Sequence, residues 1–395
     1  MKIKFSDFNI GYGYPIFIIA EAGDNHMGNI DVALKMCDEA KKSGATAIKF
    51  QHHLPDEEML EEIPMSDNFE EPLYDFLKKN ALKLNEHKIL LDYCKSIDIQ
   101  YVCTPFSYKA ALELDSIGID FFKIGSGEMT DYTSLKKIAE LGKPMILSTG
   151  MSSLDEIIET YNFMKNFNIE FAFTNCVSEY PPNYEDVNLG VIAILKEKFP
   201  EILIGHSDHT PDIYTCIASV IYKPAIIEKH VILDKNTKGP DQSVSIDFPD
   251  LQNLCDGIRK VEQANGSVKF LHKKENQIRN WAYRSVVSIK KIKKGEIFSL
   301  ENIWTKRPGI GIPSKDFEKI INILKKNNKA VYGSRVLNTA RYSYNNFTSN
   351  MRVFANHMLT IVSNLINKQS LTDAHTCYKA FNSNVFKKIR LLENG

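Results

Sequence analysis

Ionisable and hydroxyl side chains follow most of the short apolar runs in the first 250 residues of the chain. Any one of them could cap a helix or line a solvated loop, but strands that served stability alone would not all need one. We therefore predict that these side chains share one site. They are Glu21, Lys49, Gln51, Thr104, Ser107, Lys123, Ser126, Glu128, Ser148, Thr149, Ser178, Tyr180, Ser207, His209 and His230.

Two lysines of this set predict an anion site. Lys49 and Lys123 end the second and fourth apolar runs, and small hydroxyl groups at positions 104, 126, 148 and 207 accompany them. Cations, hydroxyls and glycine-flanked amides together bind phosphate and carboxylate groups. Either lysine alone would more often form a surface salt bridge. The pair favours a cradle for a small molecule that carries both anionic groups.

Histidines end two strands that should be neighbours, in GHSDHT (205–210) and in AIIEKH (225–230). Because side chains along a strand alternate between its faces, Ser207 and His209 share one face. His209 can therefore converge with His230. Two neutral imidazoles with open positions suit a divalent ion such as Mn²⁺, Zn²⁺ or Fe²⁺, and core histidines bonded to the backbone are the alternative.

The opposite face of the first of these segments carries His206 and Asp208. Alternation directs both side chains away from the predicted site. We expect His206 to pack or to support its neighbours. Asp208 is a candidate to orient an imidazole through a hydrogen bond.

Eight apolar runs alternate with segments of helical period, such as residues 31–44, which end on a glycine that can cap a helix. This order predicts a (β/α)₈ TIM barrel rather than an open doubly wound sheet, with the chemistry at the carboxyl ends of the strands. No G-x-G-x-x-G follows the first run, which argues against a dinucleotide-binding domain. The strand candidates are IFIIAE (16–21), ATAIKFQ (45–51), QYVCTP (100–105), DFFKIGSGE (120–128), PMILSTG (144–150), IEFAFTN (169–175), ILIGHSD (202–208) and AIIEKHV (225–231).

The composition indicates a globular protein with a distinct tail, since 43% of the residues are apolar and 25% are charged. Residues 315–395 hold 13 Lys/Arg and 4 Asp/Glu, a charge of +9, which leaves −9 for the rest of this formally neutral chain. The seven cysteines form no C-x-x-C pair, and the first apolar run is too short for a signal peptide. We therefore expect a cytoplasmic protein without a membrane span.

The motifs on successive strands resemble the sialic acid (nonulosonic acid) synthase family over about residues 1–312. This resemblance implies a TIM barrel followed by a small antifreeze-like (SAF) domain that reaches the partner's active site in a homodimer. It also implies a metal-dependent, C–C bond-forming transferase that condenses phosphoenolpyruvate with an open-chain N-acetylated amino sugar and releases phosphate. The motifs are IIAEAGDNHMG (18–28), IKFQ (48–51), CTPFS (103–107), FKIGSGE (122–128), STGMSS (148–153), CVSEYP (176–181), GHSDHT (205–210), EKH (228–230) and GPDQSVSID (239–247).

The resemblance also implies roles for individual residues. His209 and His230 would bind the metal, usually Mn²⁺, and Glu21 would support the metal or the aldehyde. Glu128 would handle protons or stabilise an oxocarbenium-like centre. The sugar contacts would be Gln51, Tyr180, Asp241 and, from the other subunit, Arg307. The phosphoenolpyruvate contacts would be Lys49, Thr104, Lys123, Ser126, Ser148, Ser178 and Ser207, with Ser178 standing where the family carries asparagine.

The tail departs from that family. Segments within residues 317–395, among them LTDAHTCYKAF (371–381), resemble the later part of a family-2 glycosyltransferase of the polyprenyl-phosphate type. The nucleotide-binding half of such an enzyme is absent, so we expect no glycosyl transfer. A lineage-specific extension is the alternative. The predicted domains are the barrel (1–265), a linker (266–282), a truncated SAF domain (283–314) and an α/β glycosyltransferase fragment (315–395).

Two other functions remain compatible with the sequence. One is a hydrolase or aldolase of the same barrel type, with a Schiff-base lysine beside the histidine metal. The other is an inactive, chimeric barrel whose basic tail is disordered or packs on a partner. The acceptor also stays open among N-acetylmannosamine, a 2,4-diacetamido-trideoxymannose and a 2,4-diacetamido-trideoxyaltrose.

Overall fold

The computed structural model describes residues 2–5, 8–62, 64, 71–293, 296, 298–326, 331–332, 358 and 379–380. The chain divides into two compact units, residues 1–267 and 268–395. The boundary lies two residues beyond the predicted end of the barrel at 265.

The first unit is built on eight parallel strands that close into a barrel in the order β3 to β10. Each strand coincides with one of the eight apolar runs, with β4 extending one residue past its run to His52, so the predicted (β/α)₈ fold is confirmed. The strands are β3 (Phe17–Glu21), β4 (Ala47–His52), β5 (Gln100–Pro105), β6 (Phe122–Ile124), β7 (Met145–Ser148), β8 (Phe171–Asn175), β9 (Leu203–Asp208) and β10 (Ile226–His230).

Amphipathic helices surround the barrel and bury their apolar faces against its outer surface. Local signals start them: the Asn29 side chain caps α1, and Ser153 forms a capping box with Glu156 at α7. The helices are α1 (Ile30–Lys42), α2 (Pro55–Glu58), α3 (Leu73–Asn80), α4 (Leu84–Ser96), α5 (Tyr108–Ser116), α6 (Tyr132–Ala139), α7 (Leu154–Met164), α8 (Val191–Lys198), α9 (Tyr214–Ser219) and α10 (Phe248–Ala264).

The amino-terminal half of the barrel interior is apolar. Its core contains Phe17, Phe121, Leu203 and Ile226, together with Ile10 from an antiparallel hairpin of β1 (Lys2–Phe5) and β2 (Phe8–Gly11). This hairpin was not among the predicted elements. Since apolar side chains fill the amino-terminal end, polar side chains inside the barrel are concentrated at the carboxyl-terminal end.

The strand register places the predicted site residues side by side. Glu21 pairs with Lys49 on one side and with His230 on the other. Gln51 pairs with Thr104. Parallel strands with these pairings bring their carboxyl ends to one mouth, so side chains far apart in sequence become neighbours.

The second unit begins with α11 (Lys273–Ala282), which is followed by β11 (Ser285–Ser288) and β12 (Ile303–Lys306) as an antiparallel pair. It continues with α12 (Phe317–Lys326) and a short pairing of β13 (Val331–Tyr332) with β14 (Lys379–Ala380). Nearly all of the glycosyltransferase-like tail lies outside the described residues. Every helix in the described part of the chain is too short or too polar to cross a membrane.

Candidate active site at the carboxyl ends of the barrel strands

A buried cluster of two lysines and two glutamates lies inside the mouth of the barrel. Lys49 Nζ is 2.8 Å from Glu21 Oε2 and 3.6 Å from Glu228 Oε1. Lys123 Nζ is 3.3 Å from the same Glu228 oxygen. All four side chains are almost completely buried. We call these four residues the lysine–glutamate cluster. In it the two predicted anion-binding lysines are already paired with carboxylates.

Charge compensation within the cluster is uneven. Burial opposes the ionised form of Glu228, but Lys123 and Lys49 together lower its pKa to about 2. Burial also opposes the charge of Lys49, yet Glu21 and Glu228 raise its pKa above the ordinary value. For Lys123 burial dominates and lowers the pKa. Lys123 is therefore the cation that an incoming anion would stabilise most.

Hydroxyl groups line this lysine–glutamate cluster. Lys123 Nζ donates to Ser148 Oγ at 2.6 Å, and Ser148 is linked to Thr174 at 3.0 Å. Lys49 Nζ lies 3.3 Å from Thr104 Oγ1. Ser207 donates to Glu228 Oε1 at 2.8 Å. The predicted hydroxyls at 104, 148 and 207 therefore do accompany the lysines.

Two further predicted hydroxyls meet at Gly150. The Gly150 N–H donates to Ser126 Oγ at 3.1 Å. A Cβ atom at Gly150 would overlap the hydroxyls of both Ser126 and Ser178. The glycine therefore leaves room for two hydroxyls and a backbone amide at one point, which is suitable for binding anion oxygens.

The two histidines of the predicted metal site converge as expected from strand alternation. The ring centroids of His209 and His230 are 5.2 Å apart. His209 Nδ1 is 2.6 Å from the Val177 carbonyl oxygen, and donation to that oxygen leaves Nε2 as the metal-binding atom. His230 Nδ1 is buried and has no hydrogen-bond partner. An unsatisfied imidazole nitrogen next to an oriented one fits a divalent metal.

The two histidines, His209 and His230, differ in how readily they bind a proton. Burial and His209 lower the pKa of His230 well below its usual value, so His230 is neutral. Burial also opposes a charge on His209, but Cys176 and the Val177 carbonyl raise its pKa to about 9. The Cys176 sulfur lies 3.8 Å from His209 Nδ1. A metal at this pair would therefore displace a proton from His209.

Tyr180 and Asp241 lie directly beside these histidines. The Tyr180 ring stacks on His209 at a centroid distance of 4.4 Å, and Asp241 Oδ2 is 3.5 Å from His230 Nδ1. Burial, with a contribution from Glu21, raises the pKa of Asp241 to about 6. Two of the four residues predicted to contact the sugar thus border the predicted metal site.

Glu128 forms no ion pair within the described part of the chain, although the charges of His53 and Lys123 act on it from a distance. Its Oε2 atom is buried and has no hydrogen-bond partner, and burial raises the pKa of this carboxyl to about 7. A carboxyl group with such a pKa exchanges protons readily at neutral pH. Ser107, in contrast, caps α5, because its side chain accepts a hydrogen bond from the Ala110 N–H. It thus has the helix-capping role that was the alternative for any single residue of the predicted site.

The outer face of β9 and β10 holds a second polar group. Lys229 Nζ contacts Asp208 Oδ2 at 2.7 Å, and Lys229 is fully buried. Ligand-type atoms of His206, Asp208 and Cys216 lie within 4.8 Å of one another. The Lys229 ammonium already compensates Asp208, which makes this group an ion pair rather than a metal site. Asp208 does meet an imidazole, but that of His206, at 3.3 Å, and not that of His209.

Several residues of the mouth were not predicted from the sequence. Glu228 precedes His230 by two positions, so strand alternation could have placed it on the same inner face. His53 and Glu58 follow β4 and form a contact that reaches Gln51. Thr174 lies within β8, whereas the prediction looked only beyond the end of that strand. Arg307 belongs to the second unit, where its Nε donates to the Ala282 carbonyl at 3.0 Å.

Comparison with family models gives two matches along the chain. The model described as the NeuB family matches residues 36–270. The model described as the SAF domain matches residues 283–326, which extends past the predicted end of that domain at 314.

The matches with named proteins of similar sequence cover nearly the whole length of those proteins. The N,N'-diacetyllegionaminic acid synthase of Campylobacter jejuni is 39% identical over 79% of this chain and 96% of its own. A pseudaminic acid synthase of the same species is 33% identical over 79% of this chain and 93% of its own. The crystal structure of the N-acetylneuraminic acid synthetase of Leptospira borgpetersenii matches with a TM-score of 0.64 and 32% identity over 70% of this chain and 95% of that one.

Proposed function

The chain belongs to the NeuB family, and we propose that it condenses phosphoenolpyruvate with an N-acetylated amino sugar. In this reaction C3 of phosphoenolpyruvate bonds to the aldehyde carbon of the open-chain sugar. Water adds its oxygen to C2, and the bond from C2 to the phosphate oxygen breaks. The products are a nine-carbon sialic acid-like sugar and inorganic phosphate. Related proteins named as legionaminic and pseudaminic acid synthases support this proposal.

The lysine–glutamate cluster is the observation that carries the proposal. Lys123 is the less compensated of its two cations, and the hydroxyls of Ser148, Ser126 and Ser178 accompany it or lie close by at Gly150. We assign these groups to phosphoenolpyruvate, together with Lys49, Thr104 and Ser207. A dry cluster of this kind positions both anionic ends of a small substrate without reorganising during the reaction.

The sugar half of the site is assigned to the histidine side of the mouth. We propose that His209 and His230 hold a divalent metal, with Mn²⁺ the expected ion, which supplies Lewis-acid polarisation of the aldehyde when bound. Tyr180, Asp241 and Gln51 hold the sugar. Glu21 lies between Lys49 and Gln51 and so links the two halves. Glu128, whose pKa is about 7, accepts or returns a proton near neutral pH.

We propose a role for Arg307 but none for the tail. The guanidinium group of Arg307 lies over the Trp281 ring at 5.3 Å, within the region of the SAF match or next to it. We propose that a homodimer delivers this group to the N-acetyl end of the sugar in the other subunit. We assign no catalytic part to residues beyond 326. A chain ending at Lys326 is expected to release phosphate at the rate of the full chain.

The proposal is tested by measuring phosphate release from phosphoenolpyruvate with Mn²⁺ and each of three acceptors. These are N-acetylmannosamine and the 2,4-diacetamido-trideoxy sugars of manno and altro configuration. Release that depends on one of these sugars is expected, and His209→Ala should reduce it at least about 100-fold. No release with any of them would overturn the proposal. Trapping of a lysine adduct by borohydride would support the aldolase alternative instead.

A further inference from the structure

A line of hydrogen bonds runs from α2 into the centre of the barrel mouth. Glu58 Oε1 is 2.9 Å from His53 Nδ1, and His53 Nε2 is 3.0 Å from Gln51 Oε1. Gln51 Nε2 then donates to Glu21 Oε1 at 2.8 Å. The other Glu21 oxygen pairs with Lys49. His53 thus lies two contacts away from the lysine–glutamate cluster, although no sequence pattern singled it out.

The direction of these bonds fixes the protons on His53. Burial raises the pKa of Glu21, whereas Lys49 favours its ionised form. Paired with Lys49, Glu21 accepts a hydrogen bond from the amide nitrogen of Gln51 through its other oxygen. The amide oxygen of Gln51 then faces His53 and requires an N–H at Nε2. Glu58 requires an N–H at Nδ1. A histidine that donates from both ring nitrogens is an imidazolium ion.

The surroundings of His53 suit a cation. Its ring stacks on Phe106 with centroids 4.3 Å apart and planes 17° apart, and Asp24 Oδ2 is 3.8 Å from Nε2. Burial alone would lower the pKa of His53, but Asp24 and Glu58, with a smaller contribution from Glu128, raise it. The other ionisable neighbours, His26 and His52, have lowered pKa values because they are buried, so they remain neutral.

We propose that His53, held as an imidazolium by Glu58, is a positioning residue that fixes the orientation of the Gln51 amide in the sugar half of the site. This inference rests on the proposed function, in which Gln51 contacts the acceptor. An amide can rotate by half a turn and exchange its donor and acceptor ends at little cost when nothing holds it. His53 and Glu21 together permit one orientation only. The acceptor sugar therefore binds to an amide whose donor and acceptor ends are already oriented.

The neighbouring residue provides a matched control. His52 is as deeply buried as His53 and also contacts a carboxylate, Glu113 Oε2, at 2.9 Å. It faces the outer side of the barrel, where its ring packs edge-on against His87 at 4.6 Å. Replacing His52 removes a buried imidazole and its contact with Glu113, whereas replacing His53 also removes a hydrogen bond to Gln51. Glu21 then still holds the amide nitrogen of Gln51, but the bond that held the amide oxygen is lost.

Steady-state kinetics test the positioning role. His53→Ala should raise the KM for the acceptor sugar about tenfold, since one oriented hydrogen bond is lost, with the KM for phosphoenolpyruvate within about twofold of wild type. His52→Ala should leave the sugar KM unchanged. Glu58→Gln should keep a sugar KM near that of wild type, because a neutral His53 with its proton at Nε2 still donates to the Gln51 oxygen while Nδ1 accepts from the new amide. Equal sugar KM values for wild type and His53→Ala would overturn the inference.

Nitrogen-15 NMR of the uniformly labelled protein gives a test that does not depend on activity. The His53 ring, identified by its absence in His53→Ala, should show both nitrogens protonated at about pH 7.5, above the ordinary histidine pKa. In Glu58→Gln it should show a neutral tautomer at the same pH. A neutral His53 in the wild-type protein would contradict the inference. An inactive wild-type protein with a charged His53 would instead contradict the proposed function.

Discussion

Each carboxyl group in the barrel mouth has a different degree of charge compensation, and this difference sets its proton state. Glu228 faces both lysines, and its pKa falls to about 2. Asp24 is buried with a single imidazole nearby, and its pKa rises to about 6. At Glu128 burial outweighs the charges of His53 and Lys123, and its pKa rises to about 7. The mouth therefore combines Glu228, which is ionised throughout the neutral range, with carboxyl groups whose pKa values are raised towards neutrality.

Replacing Glu128 should increase stability while it reduces activity. Burial raises the pKa of Glu128 from 4.5 to about 7, so the folded state binds this proton more tightly than the unfolded state does. Above about pH 7, ionisation therefore costs folding free energy. Glu128→Gln removes that cost, and the variant should be more stable than wild type by up to about 3 kcal/mol at pH 8.

Urea unfolding of the two proteins at several pH values checks this prediction. The stability difference should shrink as pH falls and disappear below about pH 4.5, where the carboxyl is protonated in both states. Phosphate release by the variant should decrease at every pH. A stability difference that does not change with pH would show that Glu128 is ionised in the folded protein throughout.

An apolar run that ends in a polar group was enough to place Lys49, Lys123, His209 and His230 at one mouth, and their roles stay predictions. Strand register puts Lys49 and His230 beside Glu21, Lys123 shares Glu228 with Lys49, and the rings of His209 and His230 lie 5.2 Å apart. Glu228 was missed because it lies inside its strand. Only the alternation of side chains, followed backwards from His230, could have revealed it. Its contact with both lysines depends on the closure of the barrel, which no local pattern encodes.

Two faces of the same strands serve different purposes at the level of secondary structure. The inner face of β9 and β10 carries Ser207, Glu228 and His230, while the outer face carries Asp208 and Lys229. Asp208 pairs directly with Lys229 in the register of the two strands. Their ion pair lies behind the histidines and joins the ends of both strands beneath the helical layer.

Replacing one or both residues of this ion pair should show how strongly the two charges depend on each other for stability. Lys229→Met leaves the Asp208 carboxylate buried without a cation, which should lower the free energy of unfolding by about 3–5 kcal/mol. Adding Asp208→Asn to that variant removes the uncompensated charge and should restore part of the loss. Urea denaturation of both single variants and the double variant measures the coupling. A double variant that loses the sum of the two single effects would show that the pair is not coupled.

The elements themselves were predicted with unequal success. The eight barrel strands were located because each is a short apolar run bounded by helical periodicity. The hairpin of β1 and β2 was missed because it is short and only partly apolar, and its position is fixed by packing of Ile10 beneath the barrel. The contact of His53 with Glu58 was missed for a similar reason, since it depends on the path of a short loop and a single-turn helix.

The whole molecule combines a barrel with a second unit that contains Arg307. In this unit, the chain around β11 and β12 matches the SAF domain through residue 326. The sequence interpretation ended this domain at 314, because the segments that follow resemble a glycosyltransferase. The SAF match itself continues past that point to residue 326.

Mixing two inactive variants tests the proposed homodimer. His209→Ala and Arg307→Ala should each have little activity alone. If Arg307 acts across the dimer, a mixed dimer has one site with both residues intact, and equal mixing should restore about a quarter of the wild-type rate. The phosphate-release assay after co-expression measures the recovery. A mixture no more active than its components, although mixed dimers are present, would place Arg307 outside the partner's site.

The most direct test of the proposed condensation follows the bridging oxygen of phosphoenolpyruvate. Substrate labelled with ¹⁸O at C2 is incubated with the protein, Mn²⁺ and the accepted sugar, and both products are analysed by mass spectrometry. The account predicts one nine-carbon sugar acid for each phosphate, with the label entirely in the phosphate, because the C2–O bond breaks. Label retained in the sugar acid or in pyruvate, or phosphate formed without a sugar acid, would contradict it.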